Sequence, residues 1–301
     1  MKAFLNAPRG RFDTVFDAAT LAAFQTRLEL DAPPPESIDE AWLVQQAAGA
    51  EVMLSTWGAL PVTAAVLAAC PDLKLVIHAA GSVKGFTTDA LLARNVPICS
   101  GAHVNARPVA ETCLGLVLMA LREVLPLNQR LRAEGPAQWW TLNREKDHGF
   151  RGKKVGLIGL GHISRSLLDL LRPLPVERYL FCPFATEAEA EALNFQRVGL
   201  DWMMANCDIV SLHAADIEAN RHLINADNLA LLKPGAHLIN TARGRLIDDH
   251  ALAQRLERGD VWAYLDVFHP EPPPADHPLW QLPNCIITPH VAGMAGFEKL
   301  G

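Results

Sequence analysis

The stretch Lys154-Val155-Gly156-Leu157-Ile158-Gly159-Leu160-Gly161-His162-Ile163-Ser164 runs a short apolar strand into a glycine-dense turn and then into a helix. Gly159 and Gly161 let the backbone turn sharply and come close to a ligand. Ile163, Leu167, Leu168 and Leu171 then fall on one helical face until Pro173 stops the helix. A helix that begins at such a turn points unpaired N–H groups and the positive end of its dipole at the space before it, so a pyrophosphate is the natural occupant. The third small position of the G-x-G-x-x-G pattern is Ser164, which is still small enough for close helix–strand packing. A bare G-x-G followed by serine is also what an ordinary strand-to-helix turn looks like.

Three further polar groups follow apolar strand runs, at the strand ends where open α/β sheets bind ligands. Arg243 closes Ile239-Asn240-Thr241-Ala242-Arg243-Gly244, Glu271 lies in Leu265-Asp266-Val267-Phe268-His269-Pro270-Glu271, and His290 ends Ile287-Thr288-Pro289-His290. Each alone has a bland explanation: a solvated arginine, a loop carboxylate and a turn histidine. Asp248, His250 and His269 read as surface residues.

The elements that would carry these groups alternate. Strands are expected at 2–5, 52–55, 73–78 and 96–99, with helices over 18–26, 38–48, 63–69 and 89–94, which makes a small α/β domain. Asn105-Ala106-Arg107-Pro108 predicts the start of a long helix, with asparagine as cap, proline in the first turn, and Val109, Cys113, Leu116, Val117 and Ala120 as the buried stripe. Trp139 and Trp140 stand among polar residues and fit either an exposed contact or packing on a neighbour. After Gly152 the alternation resumes, with strands near 178–181, 209–213, 236–240, 263–267 and 285–288, the pattern of a doubly wound parallel sheet.

Length and composition bound the rest. The 301 residues suit two domains at roughly 150 each. Half of them are hydrophobic and a fifth charged, as in a globular protein. A net charge of −6 without a basic run argues against a nucleic-acid surface. The longest apolar run, Cys113–Leu121, falls short of the roughly 20 residues that cross a bilayer, and the first residues lack a secretory pattern, so a cytoplasmic setting is expected. Six scattered cysteines without a C-x-x-C pair suggest reduced thiols and no metal.

Taken together, these motifs resemble the D-isomer-specific 2-hydroxyacid dehydrogenases. The resemblance runs through Ala79-Ala80-Gly81-Ser82-Val83, the segment 105–111, the glycine turn, Cys207-Asp208-Ile209-Val210-Ser211-Leu212-His213-Ala214, Leu232-Lys233-Pro234-Gly235-Ala236, Thr241-Ala242-Arg243-Gly244, Leu265-Asp266-Val267-Phe268 and Pro289-His290. Several blocks in the right order are far more specific than any one of them. The first eighty residues carry the resemblance only as an α/β pattern.

The resemblance implies an α/β chain of two domains, a Rossmann-type doubly wound parallel sheet plus a flavodoxin-like substrate domain. Residues 1–103, joined by 291–301, would be the substrate domain and 104–290 the dinucleotide-binding domain. It implies hydride transfer between NAD or NADP and a small D-2-hydroxy acid/2-oxo acid pair, of which glyoxylate and hydroxypyruvate are examples. His290 then matches the proton donor, Glu271 the carboxylate that orients it, and Arg243 the guanidinium that pairs with the substrate carboxylate and carbonyl. The backbone of Gly81, Ser82 and Val83 matches the loop that closes on that carboxylate, and Lys84 adds an unusual charge there. Gly159, Gly161, His162, Ile163 and Ser164 lie at the pyrophosphate. His213 and Ala214 form a wall beside the cofactor, Thr241, Ala242 and Arg243 run past its nicotinamide end next to His290, and Asp266 helps fix that end. A homodimer with the segment 127–150 as its arm is also implied. Formate oxidation is disfavoured, since that branch pairs its histidine with an amide rather than a carboxylate. An NAD(H)-sensing binding protein of the same fold, acting through regulated assembly, is the alternative from another class.

Two departures stand out. Where the family usually carries an acid for the adenine ribose, this sequence has Phe181-Cys182-Pro183-Phe184, and the residues just after it offer no arginine, so neither cofactor is strongly preferred. Cys182 is the residue expected to face the ribose, unless Arg178 or a more distant residue sets the choice. The family also continues past His290 into a helix returning to the first domain, whereas the sequence ends at Gly301; that return is either short or cut.

Overall fold

The computed structural model describes residues 1–30, 33–144 and 149–293. They fall into two compact units, Met1–Asn105 and Ala106–Gly293.

In the first unit, β1 (Lys2–Asn6), β2 (Glu29–Leu30), β3 (Val52–Ser55), β4 (Leu75–His78) and β5 (Ile98–Ser100) form a wholly parallel sheet in the order β2-β1-β3-β4-β5. This is the flavodoxin-like order. The strands read as unbroken apolar runs because both faces are covered. Phe4 and Met53 enter one core with Leu43, Val66 and Phe86, while Ala3, Leu5, Val52 and Leu54 enter the other with Phe12 and Phe16. Asp17, Asp39, Thr63 and Thr88 cap the helices that follow them. The helix Arg9–Val15 and the two-residue strand β2 have no counterpart among the sequence expectations. Each is too short to show a period, and the helix buries only Phe12 and Val15.

The second unit holds β6 (Lys154–Ile158), β7 (Glu177–Phe181), β8 (Gln196–Arg197), β9 (Ile209–Leu212), β10 (His237–Asn240), β11 (Trp262–Leu265) and β12 (Cys285–Ile287). They form a parallel sheet in the order β12-β11-β10-β9-β6-β7-β8. From β6 the chain builds outward to β7 and β8, then returns to the other side of β6 with β9 and continues outward from there. The doubly wound switch point therefore lies at the C-terminal ends of β6 and β9, where ligands bind such sheets.

The helix Ala102–Leu121 carries the chain from one unit into the other and corrects two expectations. It begins one turn before Asn105, so Pro108 lies inside the helix and supplies no amide to the turn before it. Its 20 residues, with a mean hydropathy of 1.3, are also long and apolar enough by composition to cross a membrane. Here Val109, Ala110, Cys113 and Val117 pack against Val155, Leu157, Leu167 and Ile239 of the second sheet layer. The segment expected as an arm forms helices Val124–Glu134 and Trp139–Arg144, and residues 145–148 of it lie outside the described residues. Trp139 and Trp140 are 55% and 65% exposed, which favours the exposed reading over packing on a neighbour. Residues 294–301, expected with the first domain, are also outside the described residues, whereas Val291 and Ala292 stay with the second unit because Asp266 binds their amides.

Candidate active site

The glycine turn closes tightly on its neighbours. Gly159 has φ +94°, and a Cβ there would sit 2.9 Å from backbone atoms of Ala214 and from the His213 carbonyl, so the chain leaving β6 and the chain leaving β9 meet with no room for a side chain. Its N–H donates to the Phe181 carbonyl at 2.8 Å. Ser164 is fully buried and its hydroxyl donates to the Gly159 carbonyl at 2.6 Å. The serine in the third small position is thus a working part of the turn.

Gly161 caps the helix His162–Leu171 without any side-chain hydrogen bond, and a Cβ on it would meet nothing within 4 Å. A helix N-terminus that opens beside such space fits a pyrophosphate. His162 is exposed at this turn, and Ile163 is half-buried against the core. The residues present therefore suit a dinucleotide, with Gly159–Ser164 as its phosphate cradle.

On the opposite side of the switch point, His213 is buried with Nε2 3.0 Å from the Ser211 hydroxyl and with Nδ1 lacking a partner among the described residues. Burial pulls it down to about 4, so it is a neutral imidazole. Ala214 continues the wall against Gly159. Thr241 is buried with its hydroxyl 3.1 Å from the Cys113 thiol, and Ala242 is buried beside it.

Arg243 is exposed just beyond β10, with Nη1 donating to the Ala242 carbonyl at 2.5 Å and no carboxylate partner among the described residues. The buried Asn240 side chain builds its turn: Oδ1 accepts from the Ala242 N–H at 3.0 Å, and Nδ2 donates to the Arg243 carbonyl at 2.9 Å. A Cβ on Gly244 would lie 2.0 Å from the Phe268 carbonyl carbon, so the arginine turn is pressed against the loop that carries Glu271.

His290 Nδ1 lies 2.8 Å from Glu271 Oε2, and Glu271 Oε1 accepts the Phe268 N–H at 3.0 Å. Both side chains remain open to solvent, at 50% and 39%. His290 adopts φ +55°, and its N–H donates to the Asp266 carbonyl at 2.9 Å. Asp266 is 4% exposed; its Oδ1 accepts from the Thr288 hydroxyl at 2.5 Å and the Val291 N–H at 2.9 Å, and its Oδ2 from the Ala292 N–H at 2.9 Å. A carboxylate can accept about four bonds, so roughly one position stays open toward a ligand.

In the first unit, Gly81, Ser82 and Val83 follow β4, with Ser82 exposed and its neighbours half-buried. The Val83 carbonyl accepts from the Thr87 N–H at 3.1 Å. Beneath this loop the buried pair Ser55–His78, 2.9 Å from Oγ to Nδ1, joins the ends of β3 and β4. Burial holds His78 below its ordinary range. No sequence motif flagged that pair, since the contact depends on two strands lying side by side.

Cys182 sits half-buried just past β7. It lines a cleft of about 300 Å³ with Phe181, Pro183, Arg197, Val198 and Gly199. The residues just after Cys182 offer no arginine, but Arg197 reaches the same cleft from β8. Arg178 is at the opposite end of β7, away from this cleft.

Residues 114–292 match the family model of the D-isomer specific 2-hydroxyacid dehydrogenase NAD binding domain, and residues 12–199 that of the catalytic domain. The chain is 34% identical over 253 residues to a D-3-phosphoglycerate dehydrogenase of Haemophilus influenzae, covering 80% of this chain and 60% of that protein. It is 31% identical to a glyoxylate reductase of Thermofilum pendens, over 77% of this chain and 69% of that one. Among solved structures, the D-mandelate dehydrogenase of Rhodotorula graminis superposes with a TM-score of 0.79 at 23% identity, over 98% of this chain and 88% of that one. The chain belongs to the D-isomer specific 2-hydroxyacid dehydrogenase family and carries its NAD-binding domain. It spans 60% of the Haemophilus protein and 43% of the mycobacterial D-3-phosphoglycerate dehydrogenases it matches.

Proposed function

We propose that this protein is a nicotinamide-dependent oxidoreductase that interconverts a small 2-oxo acid, of the size of glyoxylate or hydroxypyruvate, and its D-2-hydroxy acid. The observation that carries the reading is the His290–Glu271 contact of 2.8 Å beside the exposed Arg243 turn, all on loops following β10, β11 and β12. Bound NADH or NADPH supplies the hydride. Arg243 holds the substrate carboxylate and carbonyl oxygen with its planar fork, which also polarises the carbonyl. With Nδ1 engaged by Glu271, His290 offers Nε2 to the carbonyl oxygen and delivers the proton that the new hydroxyl needs. Glu271 fixes the ring plane through Nδ1, while the Phe268 amide steadies its other oxygen. In the oxidative direction the same nitrogen takes the hydroxyl proton.

His213 contributes a neutral wall that puts no charge beside the cofactor. The main-chain amides of Gly81, Ser82 and Val83 are the candidates for a second hold on the substrate carboxylate. A homodimer with the segment 127–150 as its arm is part of this reading, supported by the exposure of Trp139 and Trp140.

The test is loss of NADH or NADPH absorbance on adding glyoxylate, hydroxypyruvate, phosphohydroxypyruvate and bulkier 2-oxo acids. Turnover of a short 2-oxo acid is expected. Tight dinucleotide binding without turnover of any 2-oxo acid would point instead to an NAD(H)-sensing protein.

A further inference from the structure

We propose that Arg197 reads the 2′ position of the adenine ribose, giving this protein a modest preference for NADPH, and that Glu187 holds the arginine in reserve. The inference rests on the dinucleotide reading above. In a doubly wound sheet the adenine ribose lies at the end of the strand after the glycine turn, where an acid would bind both ribose hydroxyls and an arginine would welcome a 2′-phosphate. That strand is β7, and it ends at the uncharged Cys182. The cleft of about 300 Å³ at this point is completed from β8, where Arg197 pairs in register with Leu180 of β7. The cleft thus has no carboxylate in its lining and one guanidinium.

The neighbouring charges decide whether that guanidinium can be used. Arg165 donates to Glu189 at 2.5 Å, and Glu189 is further tied to the Thr186 N–H at 2.9 Å and the Thr186 hydroxyl at 3.0 Å, so this pair is committed to capping the helix that starts at Glu187. Arg197 is held differently. Its Nη1 donates to Glu187 Oε1 at 2.6 Å, and Glu187 is 85% exposed and makes no other side-chain hydrogen bond among the described residues. Such a surface pair is weak and screened, so a phosphate that stays in the cleft can take over the guanidinium at little expense. The phosphate gains charge-assisted bonds, while Glu187 nearby opposes its charge. A preference on the order of 10-fold, rather than thousands, is the expected balance.

The experiment measures dissociation constants by tryptophan-fluorescence quenching and calorimetry for NADPH and NADH, and for the fragments 2′,5′-ADP and 5′-AMP. Wild type should bind 2′,5′-ADP about 10-fold more tightly than 5′-AMP, with the advantage shrinking as salt is raised. Arg197→Ala should bring the ratio near one, lowering NADPH affinity far more than NADH affinity, and Arg197→Lys should restore part of it. Glu187→Gln, which leaves the sheet untouched, should raise the ratio a further few-fold. An NADH preference in wild type, or a fragment ratio unmoved in both Arg197→Ala and Glu187→Gln, would overturn the assignment while the dinucleotide reading stood. Binding of neither NADH nor NADPH would remove both.

Discussion

Replacing Asp266 by Asn tests whether His290, the proton donor proposed above, is held in place by its own chain. The Asp266 carboxylate accepts three hydrogen bonds, from the Thr288 hydroxyl and the Val291 and Ala292 amides, and its main-chain carbonyl accepts the His290 N–H. These bonds surround a residue at φ +55°, a left-handed conformation that costs a non-glycine residue about 1–2 kcal/mol. An Asn amide has a single acceptor oxygen. In its better orientation it keeps the two bonds on Oδ1 and turns an NH2 toward the Ala292 N–H, two donors face to face. The loss is one charge-assisted bond, about 1.5–3 kcal/mol, together with a buried amide left unpaired, about 1–3 kcal/mol. Asp266→Asn should therefore lower stability by about 3 kcal/mol or more, against about 1 kcal/mol for Thr288→Val, which removes only one hydroxyl donor. Because the loosened turn carries His290, a displacement near 1 Å should also slow turnover by roughly 100-fold at temperatures where the variant is still folded. Urea unfolding followed by tryptophan fluorescence, with reduction rates on the same samples, gives both numbers. If Asp266→Asn matched wild type in stability and rate, the three bonds would not be what holds His290.

Three other substitutions probe the site and a fourth probes a buried carboxylate outside it. His290→Ala should cut turnover at least ~100-fold while changing dinucleotide affinity only a few-fold, as measured by kcat and by binding titration; unchanged turnover would remove His290 from the chemistry. Arg243→Lys should damage kcat/KM almost as much as Arg243→Ala, because an ammonium cannot form two parallel bonds to a planar carboxylate; recovery by lysine would reduce the role to a bare charge. Cys182→Asp should move the NADH to NADPH ratio of kcat/KM at least ~10-fold toward NADH, and no movement would mean that Cys182 does not face the ribose. Asp249, 18% exposed, is raised to about 6 by burial and by the charge of Asp248, and His277 at 3.7 Å is itself pushed toward its neutral form by burial. A folded value above the unfolded one means that ionisation destabilises the fold, so Asp249→Asn should stabilise at pH 8 by up to about 3 kcal/mol, a gain that fades as pH falls from about 6 to 4. An equal effect at pH 8 and pH 4 in urea unfolding would refute this.

What could be read from the sequence follows from what a one-dimensional pattern can encode. The strands were legible because helices cover both faces of each sheet, leaving unbroken apolar runs such as 52–55 and 209–212. The glycine turn was legible because the close approach of Gly159 to Ala214 admits no other residue. The start of the helix at Ala102 was not, because Pro108 looks like a first-turn residue and nothing local reveals that the helix tolerates it a turn further in. The strands β2 and β8 are two residues each, below any period, although β8 turned out to carry Arg197. The pattern asks only smallness of Ser164, whereas its hydroxyl bonds the Gly159 carbonyl, a contact set by the curl of the turn.

The division of labour in the site explains why chemistry was easier to find than support. Arg243 is exposed, and His290 and Glu271 are about half-exposed and two-fifths exposed, because groups that must meet a ligand are reachable before it arrives. The groups behind them are buried and bond backbone: Asn240 bridges both sides of the arginine turn and Asp266 gathers the amides after His290, while the partly exposed Glu271 also spends one oxygen on the Phe268 amide. A backbone amide has no sequence signature, so each of these partners is invisible until the loops are placed. Such bonds also act in series. Gly244 presses the arginine turn on Phe268, the Phe268 amide holds Glu271, and Glu271 holds His290, so a shift at any one of them reaches His290. Damage from a supporting residue should therefore resemble a mild form of losing His290 itself, with kcat falling before dinucleotide affinity, because the phosphate cradle at Gly159–Ser164 stands on β6 and shares none of these contacts.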